Sequence, residues 1–172
     1  MDHGIAGGDS LYGGLIENYN REYRQNRISG TYERFLNTQG REFCCEQFKV
    51  FAYIANCVTA HNIFMAEGDE AKKVYQHYGL ECLWKENFKK ISYEENPLLF
   101  VLCVADTLEP LKRFKGEEPS DILKKITLDY NFIENFITVK MEEDIKYSEN
   151  GKKYIDNIKK MEEWCKIKVK ID

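Results

Sequence analysis

The sequence predicts a mainly α-helical fold that carries a small antiparallel β element, a hairpin plus a C-terminal strand, at its end. Three observations lead there. Apolar residues recur at three- and four-residue intervals in residues 11–19 and 42–65, the signature of a buried helix face. Residues 98–108 are apolar almost throughout and open on Asn96-Pro97. From residue 126 the period changes to two, first over 126–141 and again over 165–171. With 172 residues, 43% of them hydrophobic and 31% charged, the chain can bury a sizeable core and is expected to form one domain. Residues 1–125 would be its helical core, and residues 126–172 an appended hairpin, helix and terminal strand.

The first helix is predicted around Leu11, Leu15 and Tyr19, with Asp9 or Ser10 as its cap and Gly13-Gly14 weakening it. Residues 25–40, with Gly30, Asn37, Thr38 and Gly40, keep no period and read as a loop with short helical pieces. A second helix from Glu42 to about Met65 buries Phe48, Phe51, Ile54, Ala55 and Val58, and the same face continues to His61 and Asn62. Asn96 is placed to cap the next helix and Pro97 to occupy its first turn, where a missing N–H costs nothing. That helix is expected to be central, with Asp106 its only charge. Pro110 cannot donate to the carbonyl of Asp106, so the helix should end or kink there and leave room beside the carboxylate. A short helix at 120–125 follows. Ile126, Leu128, Tyr130 and Phe132, then Ile137, Val139 and Met141, form two strands turned at residues 133–136. A charged amphipathic helix at 151–164 leads to the alternating run Cys165-Lys166-Ile167-Lys168-Val169-Lys170-Ile171, which is expected to pair with the hairpin.

The formal net charge of −4 offers no global positive field for nucleic acid or anionic lipid, and the lysines from Lys152 to Lys160 have acids nearby at Asp156, Glu162 and Glu163. No nucleic-acid partner is expected. There is no membrane-length apolar run and no signal-peptide pattern, which together suggest a cytoplasmic protein that binds no membrane. The cysteines at 44, 45, 57, 82, 103 and 165 form no CxxC pair and read as buried thiols.

Polar residues interrupt this apolar framework at three distant points: Asp2-His3-Gly4, His61-Asn62 and Asp106. The order of a lone His, a His followed by an Asp-like residue, and a remote Asp resembles the metal-ligand order of the HD-domain phosphohydrolases. The flanking Ala105-Asp106-Thr107 followed by Glu-Pro-Leu-Lys-Arg is similar to HD-type sequences too, and the likeness spans residues 2 to about 113.

The resemblance implies an HD-like helical bundle in which His3, His61, Asn62 and Asp106 converge on a divalent metal ion, with Asp106 also the catalytic residue. Such a donor set suits manganese, iron, nickel, zinc or magnesium. In the family the metal activates a water that attacks a phosphate ester. Lys112 and Arg113, just past the pocket Asp, are the candidates to bind phosphate; as the end of a helix they would also be favourably placed charges.

Three departures accompany the likeness. Asn62 stands where the family has Asp, so an amide replaces an anionic ligand, and metal binding is expected to be weak or absent and a dinuclear centre disfavoured. The family's Lys shortly after the doublet is missing, since Ile63-Phe64-Met65-Ala66 follows and the first Lys is Lys72. Only two residues precede His3, where HD proteins usually carry a helix, which suggests a shortened N-terminus. Taken alone, His61 would be a hydrogen-bonded core residue, Asp106 the partner of a cation such as Arg113, and His77 an exposed or helix-terminal residue. Cys57 and Cys103, one turn before His61 and Asp106, either look toward the pocket, where thiolates favour zinc, or fill helix crossings as small hydrophobes.

Three functional classes remain open: a degenerate HD domain with weakened or lost hydrolysis that binds a nucleotide or small phosphoester, an active metal-dependent phosphohydrolase, and a non-catalytic interaction module acting through its terminal strand.

Overall fold

A glycine-rich stretch would ordinarily start no helix, yet helix α1 (His3–Asn26) runs straight through Gly7, Gly8, Gly13 and Gly14. The cap predicted at Asp9 or Ser10 is therefore helix interior. The computed structural model describes residues 3–26, 41–65, 68–77, 91–131, 134 and 136–172, in two compact units, 1–60 and 61–172. In the first unit α1 packs on α2 (Arg41–Ala60), and this contact explains the glycines. A Cβ at Gly8 would lie 2.7 Å from the Ala55 carbonyl oxygen and collide with the Thr59 hydroxyl, and one at Gly7 would touch Val58 at 3.5 Å. Close backbone approach thus offsets the roughly 0.5–1 kcal/mol that a helical glycine costs relative to alanine. Farther along, Tyr19 meets Phe48 and Phe51 edge to face, at centroid distances of 5.5 and 5.8 Å. Phe51 and Ala55 are buried as the spacing predicts, whereas Phe48, Ile54 and Val58 of the same face are only half-buried.

The second helix was predicted to reach Met65, but it stops at Ala60. His61 and Asn62 turn the chain into a short 3-10 helix, Ile63–Met65, closed by the Met65 amide donating to the Asn62 carbonyl at 2.9 Å. The predicted loop over 25–40 lies, beyond Asn26, outside the described residues, as do Cys82 and the side chains of Cys44 and Cys45.

In the second unit, α3 (Gly68–His77) is followed, after undescribed residues, by α4 (Pro97–Leu108). Asn96 is its N-cap by position, although its side chain makes no cap hydrogen bond. Leu99, Cys103 and Thr107 form a buried stripe at four-residue spacing, and the Thr107 hydroxyl is satisfied by the Cys103 carbonyl at 2.7 Å. The helix is not buried all round as expected, because Val101 on its other side is 48% exposed. Next come α5 (Pro119–Lys125), β1 (Ile126–Asn131) and β2 (Phe136–Met141). The two strands pair antiparallel, with Leu128 opposite Val139 and Tyr130 opposite Ile137; the alternation buries Ile137, Val139 and Met141 of β2, whereas Leu128 and Tyr130 of β1 are exposed. Phe132, Ile133 and Asn135 of the predicted hairpin lie outside the described residues.

A short helix, α6 (Glu143–Lys146), and then α7 (Glu149–Trp164) follow; Ser148 caps α7 by accepting from the Gly151 amide at 2.9 Å. Tyr154, Ile158, Met161 and Cys165, alternating four- and three-residue steps, make the buried face of α7, which packs against α4 and β3. Strand β3 (Lys168–Ile171) joins the sheet in the order β1-β2-β3, but it runs parallel to β2. The wholly antiparallel element predicted from the alternation is therefore a mixed sheet. The physical reason is the connection: α6 and α7 carry the chain back to the starting end of β2, a crossover that a parallel pair requires and a hairpin does not. Among the described residues, no helix is long and apolar enough to cross a membrane. An HD arrangement of the helices is not established by these elements alone.

Candidate functional site

The end of α4 builds the site in the second unit. Pro110 has no N–H to give the Asp106 carbonyl, and the last amide to close the helix is that of Glu109, which donates to Ala105 at 3.0 Å. The orphaned Asp106 carbonyl is instead met by Arg113 NH2 at 3.3 Å. The turn that brings Arg113 back is held by Glu109, whose carboxylate accepts from the backbone amides of Leu111 at 2.7 Å and Lys112 at 3.1 Å. Phe114 anchors the far side: it is buried and packs edge to face on Tyr154, whose hydroxyl donates to the Leu108 carbonyl at 2.7 Å. Burial pushes the Tyr154 phenol well above its ordinary value, with the Glu109 charge adding to the effect, so it stays a donor.

Around Asp106 three cations or potential cations converge. Lys112 Nζ reaches Oδ1 at 2.9 Å, Arg113 NH2 reaches Oδ2 at 3.4 Å, and His61 Nε2 stands 3.9 Å from Oδ2. The Asp106 side chain is 16% exposed and that of Lys112 65%. Burial raises the carboxyl pKa, but the Lys112 hydrogen bond and charge, together with the charges of His61 and Arg113, outweigh it and hold the group below its ordinary value. Asp106 is thus an anion near neutral pH.

His61 and Asn62 are buried, at 9% and 5% exposure, so the inward placement read from the helix face is correct even though the helix has already ended. His3 opens α1 in the first unit and is exposed. Cys57 and Cys103 are both buried, and His77 is the exposed last residue of α3.

The His61–Asp106 pair fits a metal ion. Two ligands each about 2.1 Å from one ion can stand no more than about 4.2 Å apart, and the observed 3.9 Å falls within that span. The bland alternative for Asp106 is observed as well, since Lys112 and Arg113, the two candidates for phosphate binding, both contact its carboxylate. Arg113 arrives by way of the Pro110 turn and not along a continuing helix. Sequence reasoning missed Glu109. Its signal is the Glu-Pro step itself: a residue before proline is held extended, and a carboxylate there can bond the amides two and three positions on. No protein-family model matches this chain, nor does any curated protein or solved structure.

Proposed function

We propose that this chain is a degenerate HD-type domain in which His61 and Asp106 hold a divalent metal ion weakly, with His3 the third ligand that the ligand order implies, and Lys112 and Arg113 receive a phosphate group of a nucleotide or small phosphoester. The observation that carries the proposal is the His61–Asp106 approach at 3.9 Å, between residues 45 positions apart that the ligand order had singled out. Asn62 supports the degenerate form, because it leaves Asp106 as the sole formally anionic member of the set. When bound, the ion would supply Lewis-acid activation of a water near the phosphorus. The chain's own residues do the remainder: His61 and Asp106 fix the ion's position, Lys112 and Arg113 orient and neutralise the phosphate, and Glu109 holds the turn that carries both cations.

Hydrolysis of a panel of nucleotides and aryl phosphates with added manganese or nickel tests this reading. The expected result is binding with feeble turnover or none. Robust turnover that disappears in Asp106→Ala would replace it with the active phosphohydrolase.

A further inference from the structure

The cations that would receive a phosphate are, in the described chain, turned on Asp106. Arg113 grips Asp106 through NH2 alone, at 3.3 Å to the carbonyl and 3.4 Å to the carboxylate, both long for a charge-assisted bond. Its Nε is buried and has no hydrogen-bond partner among the described residues, so the guanidinium edge that suits two oxygens of one anion is half used. Lys112 holds the other carboxylate oxygen at 2.9 Å, from a largely exposed side chain.

We propose that Lys112 and Arg113 form a site for a phosphate monoester dianion in which the Asp106 carboxylate is the built-in stand-in, displaced when the phosphate arrives. Both halves rest on the function proposed above; what is added is the part of Asp106 as the anion that a phosphate replaces, which the metal-free comparison tests apart from the metal. A phosphate would offer Arg113 two oxygens, satisfying Nε and NH2 together, which one oxygen of Asp106 does not do. Exchange is easy at Lys112, because an exposed ion pair is weak and either partner can be rehydrated. The turn does not need Asp106 to keep its shape, since Glu109 holds the amides of Leu111 and Lys112 from inside the segment. Charge makes the exchange cooperative with metal. Asp106, Lys112 and Arg113 together carry a single positive charge, which a dication alone would triple and a phosphate dianion alone would reverse, whereas both together leave it unchanged. A bound phosphate thus releases Asp106 toward a metal, and a bound metal releases Lys112 and Arg113 toward phosphate.

The test is calorimetric titration of the full chain with phenylphosphonate, a non-hydrolysable phosphate mimic, in chelator-treated buffer. Asp106→Asn removes the stand-in charge at constant shape and is expected to bind the phosphonate roughly three- to tenfold more tightly than the parent chain. Affinity equal to or weaker than the parent's, or no binding by either, overturns the proposal. Should Asp106→Asn not fold by circular dichroism, Lys112→Gln at an exposed position decides: it is expected to bind the phosphonate severalfold more weakly, and unchanged affinity overturns the proposal. In a second arm, manganese affinity of the parent chain is measured with and without saturating phenylphosphonate. Tightening supports the coupling, and unchanged or weakened affinity refutes it. Absence of manganese binding in every condition would remove the metal reading, while the metal-free comparison still decides whether Asp106 is the stand-in.

Discussion

Replacing Gly8 by alanine tests the packing that fixes α1, the helix that carries His3. The added methyl would stand 2.7 Å from the Ala55 carbonyl oxygen as well as against the Thr59 hydroxyl. Thr59 can rotate, at the expense of its 2.9 Å bond to that same carbonyl, but the Ala55 backbone cannot, so α1 must shift away from α2. Overpacking of this kind costs about 1–3 kcal/mol, against a gain of about 0.5–1 kcal/mol from replacing glycine within a helix. A net loss of about 1–2 kcal/mol is expected, or roughly 2–8 °C in melting temperature for a chain of this size. Gly13→Ala is the control: nothing lies within 4 Å of its added methyl, so it should raise stability by about 0.5–1 kcal/mol. Thermal and urea unfolding followed by circular dichroism give both signs. Gly8→Ala melting at or above the parent temperature would refute the close approach of α1 to α2.

Tyr154→Phe removes the hydroxyl that donates to the Leu108 carbonyl at 2.7 Å and should cost about 1–2 kcal/mol in urea unfolding; an unchanged midpoint would show that bond to be dispensable. The depressed pKa of Asp106 means that its ionised form stabilises the fold above the unfolded carboxyl value, near pH 4, and that this contribution fades as pH falls through the folded value. In metal-free buffer the stability difference between the parent chain and Asp106→Asn should therefore shrink between pH 6 and pH 3, and a difference that grows on acidification would reverse the assigned sign. Asn62→Asp should tighten metal binding, as read by calorimetry, because it adds a second carboxylate to the proposed ligand set; loss of the fold in that variant would instead show that the buried position tolerates no charge.

Much of the framework was legible because local periodicity and local packing agree. The burial of Phe51 and Ala55 on α2, the inward face of β2 and the amphipathic α7 are carried by residues whose spacing alone sets which side meets the core, whereas the apolar run of α4 hides that only one side of it is buried. What stayed hidden depends on partners distant in sequence. The start of α1 at His3 is invisible from its glycines, since only the Ala55 and Thr59 backbone and side chain opposite Gly8 make a small residue advantageous there. The alternation at 168–171 shows a strand but not its direction, which the α6–α7 crossover decides. At the candidate site, the proline signal placed the end of α4 and the inward face placed His61 and Asn62. The return of Lys112 and Arg113 onto Asp106 follows from the Glu109-bound turn, whose hydrogen bonds no periodicity records.

The proposed function requires His61 and Asp106 to act as metal ligands and not merely as an ion pair. Manganese titration of the full chain by calorimetry, beside His3→Ala, His61→Ala and Asp106→Ala, separates the two. The expected result is a single weak site in the parent chain that each of the three substitutions abolishes while the fold, checked by circular dichroism, persists. No binding by the parent chain or by Asn62→Asp, or binding that survives all three substitutions, would contradict it.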